Sequence, residues 1–165
     1  MTGFAAGDQV QDVYAWWSGN DKILYIATNN NGTGKLWRLD NADSGTAVTQ
    51  VGSNYANGLT AVCPTTAGTV IVAGLNGEVD RVTGANTGGS VKTSIKPSGT
   101  TQYTDVYAYG TEAWIGGASD GAEYYTADFT AGSVTWEQNT ATIGQTAIHG
   151  YQNNVWVSHA GGGIS

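Results

Sequence analysis

One four-residue pattern recurs four times along the chain at nearly constant spacing. Each copy contains apolar, β-branched residues, and three of the four also contain an aromatic residue; the copies are Leu24–Ala27, Val70–Ala73, Ala113–Gly116 and Val155–Ser158. Their first residues are 46, 43 and 42 positions apart. A second run precedes each copy, at Asp12–Trp16, Leu59–Cys63, Asp105–Tyr109 and Ala147–Tyr151. Short runs of this kind, separated by Gly, Asp, Asn and Ser, predict pairs of β-strands joined in hairpins.

Two further strands are predicted in each of the first three units. The third strands are Lys35–Asp40, Glu78–Thr83 and Glu123–Asp128, and the fourth strands are Gly45–Val51, Gly89–Ile95 and Gly132–Gln138. Arg38 and Arg81 hold the same position in the third strand, where the third unit has Thr126. We also expect Gly132, in the turn before the fourth strand, to adopt a left-handed backbone conformation.

A four-stranded unit that repeats every 40–50 residues is typical of a β-propeller blade. We therefore predict an all-β fold: a propeller or partial propeller of about four four-stranded blades in a single domain of residues 1–165. The predicted units are about 12–58, 59–104, 105–146 and 147–165. A β-sandwich of short strands is the alternative. The regular period argues against it, because the strands of a sandwich need not resemble one another at fixed intervals.

The last unit is expected to be incomplete. After its two strands, the turn Gly161–Gly163 leaves only Ile164 and Ser165 for a third strand. Residues 1–11 could complete this blade and give a closed ring of four. Alternatively, a dimer could form one ring of eight blades, or the chain could be part of a larger ring. Because unpaired strand edges promote association, we expect assembly with other chains, as a homo-oligomer or a larger complex.

Charge and composition disfavour several classes of partner. The 165 residues include 13 acidic and 6 basic side chains, for a net charge of −7, whereas nucleic-acid affinity depends on basic contacts with phosphates. We therefore expect no nucleic-acid binding. The first ten residues do not resemble a secretory signal, and no apolar stretch approaches 18 residues, so membrane insertion is not expected either. The single cysteine, Cys63, is expected to be a buried structural residue, with no internal disulfide.

The segment between the third and fourth strands of the third unit contains a recognisable motif. Thr126–Trp136, TADFTAGSVTW, resembles the Asp-box, Ser/Thr-x-Asp-x-Gly-x-Thr-Trp, of sialidase-like (BNR) propellers and of photosystem II assembly factors. The other copies are Arg38–Asp40 with Ser44–Thr46, and Arg81–Thr83 with Gly88–Ser90; all three loops are longer than the motif, and only the third keeps its Trp. The resemblance implies a propeller in which the Asp and Gly of the motif build hairpin turns, a structural role.

The same resemblance argues against sialidase chemistry. Sialidases hold the substrate carboxylate with three arginines, and this chain has only two, Arg38 and Arg81. The acidic residues lie mostly in turns, which disfavours the paired carboxylates of a glycoside hydrolase. Two histidines, His149 and His159, make a poor zinc site. We therefore predict a protein that is not an enzyme, with no catalytic residues, no metal and no cofactor.

Aromatic residues at the ends of the first strands are the candidate ligand contacts. Trp16, Tyr109 and Tyr151 hold matching positions, and Trp17 lies beside the first of them. Rings repeated at a blade rim could stack on glycans, as in lectin-like propellers, or could pack against another protein. Packing or a protein interface is the preferred interpretation.

The preferred function is a structural or interaction protein, such as a virion or appendage surface component. Viral structural proteins reach the exterior without a classical signal peptide, so we expect a virion or extracellular surface location, with the cytoplasm as the alternative. The alternative function is a carbohydrate-binding propeller module, and a glycoside hydrolase is the third and least supported interpretation.

Overall fold

The computed structural model describes residues 2–98, 102–117, 122–140, 145–152 and 154–159. In these ranges every regular element is a β-strand, and the strands form four antiparallel sheets. The prediction of an all-β fold is therefore confirmed. Three of the sheets have four strands each, in sequence order, and the last described sheet has two.

The strands are numbered in chain order. The first sheet contains β1 (Gln9–Ser18), β2 (Asp21–Asn30), β3 (Thr33–Leu39) and β4 (Thr49–Gln50). The second contains β5 (Leu59–Thr66), β6 (Thr69–Gly74), β7 (Val79–Thr83) and β8 (Val91–Ser94). The third contains β9 (Tyr103–Tyr109), β10 (Glu112–Gly117), β11 (Ala122–Thr126) and β12 (Glu137–Thr140). The last contains β13 (Gln145–Tyr151) and β14 (Asn154–His159).

The register of the first two strands confirms the repeat. The pairs that hold one equivalent position are Asp12 with Ala27, Ala61 with Ala73, Asp105 with Gly116, and Ala147 with Ser158. All four copies of the recurring pattern therefore occupy the same place in their sheets. Because side chains alternate between the two faces of a strand, this register also fixes which face each copy presents.

The third strand of the third sheet differs from prediction by one residue. Arg38 lies opposite Tyr25, and the residue opposite the equivalent Trp114 is Tyr125, not Thr126. Residue types alone aligned Glu123 with Lys35, whereas the register gives Glu123 the place of Leu36.

The fourth strands are shorter than predicted and begin later in all three units, most markedly in the first and third. Thr49 begins β4 and Glu137 begins β12, so most of the predicted strand residues before them belong to the connecting loops. Gly132 does not have a positive φ, so that prediction was wrong. Left-handed residues occur in the hairpin turns instead, including Asn31 and Gly32, the pair that a type I′ turn requires.

In the described ranges the amino-terminal segment lies on the first sheet and forms no strand pairing with the last one. Thr2 forms a parallel bridge with Ala47, and residues 9–11 belong to β1. Phe4 packs edge-on against Trp37, with ring centroids 5.4 Å apart. The segment packs there because one face of the first sheet presents apolar residues, among them Trp37, Leu39 and Val48, and because this sheet is the one nearest to it in sequence. The predicted turn Gly161–Gly163 and the predicted third-strand residues Ile164 and Ser165 lie outside the described residues.

Successive sheets pack against one another through the same two positions. We call the side of a sheet that faces the next sheet its leading face, and the opposite side its trailing face. Leading residues meet trailing residues in shared apolar clusters, as the pairs Tyr25 with Val62, Ile71 with Val106, and Trp114 with Ile148. Strand β1 packs on β5, β5 on β9, and β9 on β13. Within the described ranges, no comparable packing joins β13 or β14 to the first sheet.

Arginine side chains add polar ties between sheets. Arg38 Nη1 donates a 2.9 Å hydrogen bond to the Ala85 carbonyl of the second sheet's loop. In the same way Arg81 Nη1, in the second sheet, donates a 2.9 Å hydrogen bond to the Phe129 carbonyl in a loop of the third sheet. Both arginines therefore have a structural partner.

Candidate functional site

The carboxyl ends of the first strands of three sheets surround a cavity of about 460 Å³. We call it the aromatic cup, since its wall contains five aromatic residues: Tyr14, Trp16, Trp17, Tyr107 and Tyr109. Pro64 of the second sheet forms the wall between them. Such a cavity offers flat apolar surfaces with few polar groups, which suits a ligand that stacks.

Three of the four predicted contact residues meet in this cup. Trp17 is 71% exposed and Tyr109 is 44% exposed, so both form its rim. Trp16 is half-buried, and its indole nitrogen is buried without a hydrogen-bond partner among the described residues. A buried donor of this kind is costly unless it is satisfied, so a ligand acceptor or a water molecule would be favoured there.

Sequence reasoning missed Tyr14 and Tyr107, which form the floor of the cup. They hold equivalent positions, opposite Tyr25 and Trp114, two residues before Trp16 and Tyr109. Burial raises the pKa of Tyr14 to about 12 and also raises that of Tyr107, whose hydroxyl donates a 3.0 Å bond to the Gln152 carbonyl. The repeated tyrosine was a visible signal in the sequence, but the half-burial of Tyr14 and the burial of Tyr107 were not.

Below the cup, a groove of about 380 Å³ is lined by the first strands of all four sheets. Its two carboxylates are Asp12 and Asp105, and burial raises the pKa of both. Asp12 accepts the backbone N–H of Val62 at 2.9 Å, across the sheet junction. Asp105 accepts that of Ile148 at 2.7 Å in the same way. These oxygens hold neighbouring sheets together, and this structural role accounts for their position.

Tyr151, the fourth predicted contact, lies outside the aromatic cup. It is 67% exposed on β13, on the same face as His149 and, across the strand pair, Trp156. Trp156 is 47% exposed. This is the leading face of the last sheet, and within the described residues no further sheet packs on it.

An equivalent uncovered surface lies at the other end of the row of sheets. Val10 and Val13 of β1 point to the trailing face of the first sheet, and Val13 is 48% exposed. The equivalent residues Val62, Val106 and Ile148 are buried, because each has a preceding sheet against it.

Cys63 is buried, as predicted, and burial raises the pKa of its thiol to about 12. Its sulfur accepts the Ala108 amide N–H at 3.3 Å. In the register of β13 and β14, His149 lies opposite Trp156 and His159 lies opposite Gln145, so the two histidines are not paired across the strands. The residues that the structure describes contain no group of three metal-ligating side chains. No helix long and apolar enough to cross a membrane occurs in the same ranges.

Comparison with known proteins identifies the fold but no family. No protein-family model and no curated protein matches the chain. The crystal structure of the computationally designed Ika4 protein is similar over 99% of this chain and 93% of its own, with a TM-score of 0.70 and 17% identity. The crystal structure of Chaetomium thermophilum Raptor is similar over 99% of this chain, with a TM-score of 0.67 and 16% identity. This chain spans only 16% of Raptor. At such identities the likeness is one of fold alone.

Proposed function

We propose that the chain is a non-enzymatic interaction protein, a partial β-propeller that assembles with other protein chains through the uncovered faces of its first and last sheets. The propeller interpretation is supported by the regular repeat and by the four first strands that line one central groove. A sandwich has no such groove at the meeting point of four repeated units.

One observation carries the proposal. The trailing position is buried in the second, third and last sheets and is half exposed only at Val13. The leading position is buried at Tyr25 and Ile71 and is half exposed at Trp156. Val13 and Trp156 are nevertheless apolar, like the residues that hold these positions at the buried junctions between sheets. Contiguous apolar surface of this kind marks a protein interaction site.

The mass of the chain in solution tests this proposal. We expect light scattering after size exclusion to show species heavier than the 17.0 kDa chain at micromolar concentration. Trp156→Ser should shift the material towards the monomer, because the apolar anchor is lost. Val91→Ser is the matched control, since Val91 is 58% exposed on β8, away from both faces. A monomer that melts cooperatively would contradict the proposal.

Glycan binding at the aromatic cup is a second candidate function. It is favoured by the exposed rings of Trp17 and Tyr109, which line one cavity, and by the indole nitrogen of Trp16 in its wall, which has no hydrogen-bond partner among the described residues. Stacking of aromatic rings on sugars would provide the affinity. Trp17→Ala or Tyr109→Ala should then abolish glycan-array signals without changing the melting temperature, whereas Tyr151→Ala should retain them. A blank array with folded wild-type protein would exclude this function.

A further inference from the structure

We infer that the partner is a second copy of this chain, arranged head to tail. In this arrangement the leading face of the last sheet packs on the trailing face of the partner's first sheet. The reciprocal contact closes a ring of eight sheets. The inference rests on the proposed function, that is, on association through these faces, and adds the identity and the orientation of the partner.

The junctions inside the chain provide the template for the contact between chains. At each internal junction a large leading residue meets a trailing aliphatic residue, as Tyr25 meets Val62 in one cluster and Ile71 meets Val106 in another. Extending the register by one sheet places Trp156 against Val13 of a second copy. These two residues are the members of their series that are most exposed.

The size of the uncovered part of the first sheet also fits the described last sheet. Residues 2–8 cover the outer strands of the first sheet: Phe4 packs on Trp37, and Asp8 pairs with the largely buried Lys35 at 2.9 Å. The exposed large apolar residues on this face are therefore those of β1. The two strands of the last described sheet, β13 and β14, present a narrow surface. The uncovered strip of the first sheet, along β1, leaves room for it.

A second copy is favoured over an unrelated protein because the requirement is double. The partner must offer a trailing face to Trp156 and a leading face to Val13, and this chain offers one of each. Two different patches that meet head to tail form rings when the rotation closes. Two copies then satisfy both faces of both chains.

Charged variants test the orientation directly. Val13→Lys places a cation on the trailing face, and Trp156→Glu places an anion on the leading face. Each variant alone should be a 17.0 kDa monomer, because both of its junctions would bury an unpaired charge. An equimolar mixture should recover the doubled mass, since one junction is then native and the other pairs Lys with Glu. Val91→Lys should behave like the wild type.

The possible failures are distinguishable. A monomeric wild-type chain would contradict both the proposed function and this inference. An assembled wild type that survives Val13→Lys would leave assembly in place and overturn the head-to-tail contact. Single variants that dissociate but whose mixture does not recover would also overturn it, because a head-to-tail contact must place the lysine of Val13→Lys against the glutamate of Trp156→Glu. Circular dichroism and the melting temperature of each variant show that it is folded.

Discussion

Replacing Asp105 should measure how strongly a single carboxylate ties the last sheet to the third. Its Oδ2 accepts the Ile148 N–H at 2.7 Å, and its Oδ1 accepts the Val106 N–H at 2.8 Å. In Asp105→Ala both bonds are lost and the buried amide of Ile148 is left without its acceptor. Asp105→Asn keeps one acceptor oxygen, but its amide NH₂ faces the second N–H. This variant should therefore keep only part of the stabilisation that the carboxylate provides.

The magnitude follows from two opposing contributions. A hydrogen bond to a charged group contributes about 1.5–3 kcal/mol, and this carboxylate makes two. Against them stands the cost of removing the charge from water, which is why the pKa of Asp105 is raised by burial. We therefore expect Asp105→Ala to lower the free energy of unfolding by about 2–3 kcal/mol, and Asp105→Asn by about half as much.

Urea unfolding at a fixed chain concentration is the appropriate assay, because association would add to the apparent stability. For a domain of this size the expected loss lowers the urea midpoint by roughly 1 M. Hydrogen exchange at the Ile148 amide should accelerate in parallel. Asp43→Ala is the control: its ion pair with Lys22 is exposed, so its loss should have little effect. A midpoint for Asp105→Ala equal to that of Asp43→Ala would refute the reasoning.

Two further substitutions and one labelling experiment test other junctions and sites. Gly150→Ala should destabilise the protein by about 1–3 kcal/mol in urea unfolding, because the added Cβ would lie nearer to the Tyr107 ring than the 3.0 Å that such atoms keep; an unchanged midpoint would mean that the last sheet does not dock this closely. Burial, assisted by Glu78, raises the pKa of Asp80 from 3.8 to about 6, so its contribution to stability is full below pH 3.8 and is lost as the pH rises through 6. Asp80→Asn should flatten this part of the pH dependence of the melting temperature, and an identical profile would contradict it. Cys63 should resist thiol reagents in the folded protein and react fully in denaturant, whereas rapid labelling of the native chain would show that it is accessible.

The sequence was sufficient for the features that repeat. The equivalence of Tyr25, Ile71, Trp114 and Trp156 was predicted from residue type and spacing, and the strand register confirms it. The short fourth strands were harder to predict, because polar loop residues with strand-like composition precede them. The third strand of the third sheet was misaligned by one residue, an error that residue types alone could not reveal.

The candidate site depended on information that no single segment contains. Tyr14 and Trp16 are apolar strand residues in the sequence, and only the approach of the third sheet makes them part of a cavity. Asp12 was grouped with strand residues, yet its function is to hold the Val62 amide. The exposure of Val13 is likewise a property of its place at the end of the row of sheets.

The carboxylate ties between sheets alternate along the chain. Asp12 and Asp105 join the first sheet to the second and the third to the last, whereas the equivalent residues of the second and last sheets are Ala61 and Ala147. The unit of repetition is thus a pair of sheets, and only an even number of sheets preserves the alternation around a ring. In the proposed assembly the junction between copies is of the alanine type. It lacks the carboxylate tie, so the ring would separate there on dilution while each chain kept its sheets in place.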